Sequence, residues 1–359
     1  MKTVRLIGIL TAASLIVGST ACSSSPSPEG TKSTTTTAVS TTQTEAATTK
    51  ASGAVNPLTG LEDMKSATSR PVAVMVGNND KSRPQYGIEK ADMLIEGETE
   101  GGITRIMAVF SDASRVPDAV GPVRSARSPF VKLAVALDTI YCHCGGSLGG
   151  KAELRSSGLA HIDGTSDGSA YWRDDGLRYS KGYEYSMLTS GSKLQSRIKK
   201  LELRTKANNP SPFTFGSKAG DKSATQVQLY LSSTQTISFK YNSKDKLYYK
   251  GNGTLENGTK HVTASGKQLT ATNVILIYDE RYVEESASQT DQGVNVYGYN
   301  MSGGSGQIMS GGTVRNIRWS RTDSGLSFAE SDGSALTVAK GRTYLCFAST
   351  GYKDDMIIR

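Results

Sequence analysis

The pattern of apolar and polar positions divides this chain into three stretches of different character. Residues 6–17 are almost uniformly apolar and follow Lys2 and Arg5. Such a run has the length of an export-signal core, short of the about 20 residues a helix needs to span a bilayer, so residues 1–21 read as a signal peptide. Residues 22–55 are mainly Ser, Thr, Ala and Pro with few charges. A tract of that kind has too little apolar area to bury, and an extended tether is expected.

Folding patterns begin at Asn56. Continuous or alternating apolar runs predict strands over 71–76, 91–100, 103–111 and 139–144. Gly101-Gly102 joins two of them as a hairpin turn. Ser128-Pro129 marks a helix start, with Ser as N-cap and Pro in the first turn. Phe130, Leu133, Ala134 and Leu137 supply that helix's apolar face. Further helices are expected from Lys151 and over 190–203. Residues 56–205 thus predict an α/β-like N-terminal domain with a mixed sheet covered by helices. A polar, proline-bearing linker follows over 206–224. Alternation then resumes at 226–231, 236–241, 246–250, 273–278, 294–299, 314–319 and 343–348, and Gly303-Gly-Ser-Gly306 is among the turn signals between them. Residues 225–359 predict a mostly-β C-terminal domain, and the fold class of the whole is α+β.

Composition narrows the function classes. Lys and Arg total 41 against 33 acidic residues, a formal charge of +8, which becomes +6 when Lys2 and Arg5 leave with the signal. That favours anionic partners. With 36% hydrophobic residues the chain is not a polytopic membrane protein, and four cysteines in 359 residues do not make a disulfide scaffold. Positive charges are dispersed and no recognition motif is present, so no nucleic-acid partner is expected. Small residues ending at Cys22 resemble a bacterial lipobox, whose thiol is acylated. The expectation is a protein held by a lipid anchor at the extracytoplasmic face of the cell membrane.

Several segments resemble a known family: Asn56-Pro-Leu-Thr-Gly-Leu61, Arg83-Pro-Gln85, Glu100-Gly-Gly-Ile-Thr-Arg105, Gly121-Pro-Val-Arg-Ser-Ala-Arg127 and Tyr171-Trp-Arg-Asp174 are similar to the YerB-like bacterial lipoproteins. The resemblance implies two paired domains of unknown function and supplies no catalytic residues. Gly77 departs from the family's usual Asp, and Tyr185-Ser186 from its usual His-Asn.

Candidate chemistry centres on the N-terminal domain. Arg124 and Arg127 precede the predicted helix start, where free N–H groups and guanidiniums together suit an anion. Their alternative role is to pair with Glu96 or Glu100 and hold the sheet. Glu96, Glu98 and Glu100 repeat with period two, which on a strand places all three on one face. They predict either a salt-bridged face, with Arg105 opposite Glu98, or an acid–base pair of Glu96 and Glu100. The loop Gly145-Gly-Ser-Leu-Gly-Gly-Lys151 reads as a glycine turn, an anion cradle or a nucleophile elbow at Ser147. Cys142 and Cys144 share one strand face and read as reduced thiols, with His143 on the other, so one metal ion cannot collect all three. Tyr171, Trp172 and Arg173 read as either a sugar-stacking platform or a packed loop.

The reading drawn from these residues is a binding protein that holds an anionic cell-wall polymer or glycan without turnover. Arg105, Arg124 and Arg127 would grip the acid group, with Asn78, His143, Tyr171, Trp172 and Arg173 shaping the cleft. The alternatives are an envelope glycan or phosphodiester hydrolase using Glu96 and Glu100, and a scaffold that docks another envelope protein. No metal site and no cofactor are assigned.

Overall fold

The computed structural model describes residues 54–208 and 211–359. The predicted signal peptide, Cys22 and all but the last residues of the tether lie outside the described residues. Among the described residues no helix is long and apolar enough to cross a membrane.

The first half follows the predicted patterns closely. Its strands are β1 (Val72–Gly77), β2 (Met93–Glu98), β3 (Thr104–Phe110), β4 (Ile140–His143), β5 (His161–Asp163), β6 (Tyr171–Arg173) and β7 (Met187–Thr189). Its helices are α1 (Ser128–Ala136), α2 (Leu148–Ser157), α3 (Asp175–Lys181) and α4 (Gly191–Lys200). Gly101 and Gly102 both take positive φ, 56° and 81°, as the β2–β3 hairpin requires. At α1 the cap is shifted by one residue. Arg127 occupies the N-cap position and makes no side-chain cap, while Ser128 and Pro129 form the first turn. Helix α2 starts three residues ahead of its expected position because Ser147 caps it, accepting from the Gly150 N–H. That places Ser147 in a structural role.

In the second half the long strands are β8 (Gln226–Tyr230), β9 (Thr236–Asn242), β10 (Leu247–Asn252), β11 (Asn273–Asp279), β12 (Arg281–Glu285), β13 (Val296–Tyr299), β14 (Gly303–Ser310), β15 (Thr313–Thr322), β16 (Gly325–Glu330) and β17 (Thr343–Ser349). All seven expected strands are present. Gly303-Gly-Ser-Gly306, expected as a turn, is instead the start of β14. Its glycines allow close backbone approach: a Cβ on Gly306 would come within 2.5 Å of the Leu276 carbonyl oxygen.

The two halves share one sheet. Its main path runs β16-β15-β14-β11-β17-β2-β3-β1-β4-β5. The junction is the parallel pairing of β2 with β17, from Met93 opposite Thr343 to Gly97 opposite Phe347. Parallel pairing needs no hairpin between its strands, so the chain's last long strand can insert beside β2. The described residues accordingly form one compact unit.

Burial on both faces explains why the central strands are apolar runs without alternation. One face carries Val74, Leu94, Ile106, Leu276 and Tyr344, packed with Val227, Ile237 and Phe239 of a second sheet containing β8, β9 and β10. The other face carries Met75, Ile95, Met107, Ile275 and Phe347, covered by Phe130, Leu133 and Ala134 of α1. Phe347 sits edge-on to both Phe130 and Tyr299, with ring centroids 5.1 and 5.0 Å away.

Candidate functional site

The segment between β3 and α1 runs beside β1 and β4. The Arg124 N–H donates to the Met75 carbonyl, the Cys144 N–H to the Arg124 carbonyl, and the Ala126 N–H to Gly145. These main-chain bonds hold Arg124 and Arg127 against Arg105 of β3. Arg173, at the end of β6, completes a cavity of about 190 Å³. Its lining holds four arginines, Arg105, Arg124, Arg127 and Arg173, with Cys144, Tyr183, Glu184 and Gln292. Gln292 comes from the loop of the β12–β13 hairpin. That hairpin is tied over Glu100 by Gly101 N–H donating to the Asn295 carbonyl and Tyr297 N–H donating to Thr99.

Each arginine is held differently. Arg105 is buried, donates to the Ser125 carbonyl at 2.5 Å and forms an ion pair with Glu100. Arg127 Nε donates to the other Glu100 oxygen at 2.9 Å. Burial alone would raise the Glu100 carboxyl, but Arg105 and Arg127 hold it down at about 2. Arg124 donates to the Glu184 carbonyl at 2.7 Å and its carboxylate at 3.1 Å. Arg173 donates to the Tyr183 carbonyl at 2.6 Å and stacks 3.5 Å from the Tyr183 ring centroid. It forms no salt bridge with any described carboxylate. Behind the cluster, Tyr141 is fully buried, and its hydroxyl has no hydrogen-bond partner among the described residues.

The three period-two glutamates do not share a face. Strand β2 ends at Glu98, so Glu100 leaves the alternation. Register also places Arg105 opposite Gly97, and Glu98 opposite Thr104. Glu98 pairs with Arg281 at 2.9 Å and lies 3.3 Å from the Tyr299 hydroxyl. Glu96 is fully buried on another network. It accepts from Asn78 Nδ2 at 2.6 Å, Thr104 Oγ1 at 2.8 Å and the Tyr344 hydroxyl at 2.5 Å, with Lys250 Nζ 3.4 Å away. Separate counter-charges thus hold Glu96 and Glu100, and the geometry offers no acid–base pair.

Arg105, Arg124, Arg127 and Arg173 come together on this one cavity. The other predicted cleft residues do not join them. Asn78 is consumed by Glu96, because its buried amide must satisfy both its donors and its acceptor. His143 is buried, bonded to the Gly145 carbonyl at 2.8 Å and to His161 at 3.0 Å. Tyr171 is buried, its hydroxyl donating to the Ile162 carbonyl at 2.6 Å, so it offers no stacking face. Trp172 is partly exposed and pairs with Leu188 across β6–β7, outside the cavity lining. Cys142, Cys144 and Cys346 are free thiols, and no group of His, Cys, Asp or Glu among the described residues could hold a metal ion. Sequence reasoning missed Glu184 and Gln292. Glu184 directly precedes the Tyr185-Ser186 departure noted above, whereas nothing in the sequence near Gln292 signals its position.

Comparison with known proteins agrees with this architecture. Residues 58–204 match the family described as protein of unknown function (DUF3048) N-terminal domain, and residues 227–345 its C-terminal domain. A Bacillus subtilis (strain 168) protein named "Putative lipoprotein YerB" is 31% identical over 301 residues, covering 80% of this chain and 84% of the relative. The crystal structure of the Bacillus subtilis YerB protein superposes with a TM-score of 0.71 at 28% identity, covering 85% of this chain and 99% of that one. Shared sequence across both halves and a shared fold place this chain in the YerB-like bacterial lipoprotein family.

Proposed function

We propose that this protein is a lipid-tethered, extracytoplasmic binding protein of the cell envelope, whose four-arginine cavity holds an anionic group without turning it over. The observation that carries the reading is the convergence of Arg105, Arg124, Arg127 and Arg173 on one small cavity. Guanidiniums are rarely gathered without counter-charge, because each desolvated cation costs free energy unless it is paired. Glu100 and Glu184 supply two carboxylates for four cations, and the remainder favours an anionic ligand. Cys22, the lipobox-like segment and a relative named as a lipoprotein support the membrane anchor. A hydrolase using Glu96 and Glu100 finds no support, since each carboxylate is already saturated by its own partners.

A second reading rests on the large groove of about 1020 Å³ over β14, β15 and β16. Its exposed side chains include Ser305, Asn316, Arg318, Ser320 and Ser327, hydrogen-bonding groups suited to a glycan strand.

The test is calorimetric titration of the soluble chain with envelope polymers, anionic and neutral. Binding of an anionic polymer that is lost in Arg124→Ala/Arg173→Ala, with no fragments released, supports the reading. Fragment release abolished by Glu96→Gln would overturn it.

A further inference from the structure

We propose that the arginine cavity is built for a phosphoryl dianion, and that the Glu184 carboxylate occupies its seat until the ligand arrives. This inference rests on the anion-binding reading and names the ligand's chemical class. Four guanidiniums, Glu184 and the Glu100 carboxylate behind them leave two positive charges uncompensated. A phosphomonoester carries about −1.5 to −2 at neutral pH and offers three strong acceptor oxygens, so it matches that excess where a lone carboxylate does not. Planar guanidinium forks pair with such oxygens two at a time.

The two resident carboxylates differ in how easily they leave. Glu100 is 4% exposed and takes N–H groups from two arginines on its two oxygens. It is part of the wall. Glu184 is 58% exposed, and among the described residues its carboxylate meets only Arg124. With the carboxylate end of this pair largely in solvent, water screens it and can replace it readily. Its turn would stay in place, because Arg124 and Arg173 hold the carbonyls of Glu184 and Tyr183. The side chain can therefore swing out while the cavity keeps its shape. Arg173, whose guanidinium lies flat on the Tyr183 ring and donates to the Tyr183 carbonyl, is the one cation of the four that pairs with no carboxylate among the described residues.

Size sets a second limit. At 190 Å³ the cavity matches roughly six waters at about 30 Å³ each. That is below the roughly 300 Å³ at which pockets for whole drug-sized ligands begin, so only a headgroup enters and the remainder lies outside. A soluble phosphomonoester and a lipid-borne one present the same group.

The experiment uses the chain with Cys22→Ser, which removes the anchor and the one thiol outside the described residues. Calorimetry with glycerol 3-phosphate, sulfate, acetate and a monoanionic phosphodiester reads affinity. Alkylation of Cys144, the cavity's half-buried thiol, reads location, since Cys142 and Cys346 are buried. The dianions are expected to bind at least tenfold tighter than the monoanions and to slow Cys144 alkylation, and Glu184→Gln should tighten glycerol 3-phosphate about tenfold. Flotation with phosphatidate vesicles against phosphatidylglycerol vesicles assigns the source: capture by phosphatidate vesicles alone marks a lipid-borne group, and calorimetric binding without capture marks a soluble one. Equal binding of monoanions and dianions, or a Glu184→Gln chain with unchanged affinity, overturns the dianion inference while leaving anion binding intact. Absence of binding by every anion and vesicle removes both.

Discussion

Lys250 Nζ lies 3.4 Å from the Glu96 carboxylate with both side chains fully buried, although the two residues belong to opposite halves of the chain. Around them run Asn78, Thr104 and Gln85 from the first half, and His261 and Tyr344 from the second. Every described member of this network has a partner, which is the condition under which a buried polar cluster is tolerated. It ties the β8–β10 sheet to the shared sheet.

Breaking this pair should be costly. Lys250→Met leaves a buried carboxylate without its cation, and a loss of about 3–5 kcal/mol is expected. Adding Glu96→Gln to Lys250→Met should restore part of it, because the stranded charge is then gone. Urea denaturation of the wild type, both single variants and the double variant checks this, and additive losses would argue against coupling.

Acidification should weaken the fold through its buried histidines. Burial, then the nearby Lys250 and Arg83, push His261 well below its ordinary value. Burial also lowers His143. Below about pH 6.5 the unfolded chain takes up protons that the folded chain refuses, so stability falls with pH by up to about 1.4 kcal/mol per unit for each such histidine. Melting temperatures at pH 7.5 and 5.5 should differ, and His261→Gln should reduce the difference. A flat profile in the wild type would contradict the buried, neutral assignment.

The seam between the halves has its own weak point. Gly97 faces Phe347 across β2–β17, and a Cβ there would come within 2.1 Å of the ring. Gly97→Ala should cost at least about 1–3 kcal/mol through overpacking. Phe347→Leu in the same chain should recover some of it by making room. Thermal melts of the three variants decide this.

Cys22→Ser should shift the protein from the membrane fraction to the medium, read by fractionation and immunoblotting. Continued membrane association would remove the lipid-anchor reading.

Much of the fold was legible because strands and helices announce themselves locally. The Val72–Val76 run, the Gly101-Gly102 turn and the seven second-half segments all carry their signal within a few residues. Part of the site was legible too: Arg105, Arg124 and Arg127 stand in motif-like strings ahead of the first helix, and Arg173 in the Tyr171-Trp-Arg-Asp174 string. Their partners were not. Arg105 takes Glu100 and not Glu98, because the hairpin register and the end of β2 decide which side chains meet.

Taken alone, the chain's residue order determines the apolar run at 6–17, the Ser- and Thr-rich composition of 22–55, the positions of most strands and the turns between them. These depend on side-chain periodicity and backbone conformation at each place. Only the tertiary structure decides that β17 inserts beside β2, that Tyr344 reaches Glu96 across 248 positions, and that Gln292 borders the arginines. Backbone ladder bonds are nearly alike for every sequence, so strand partners are selected by burying both faces of the whole sheet at once, a condition no local segment expresses.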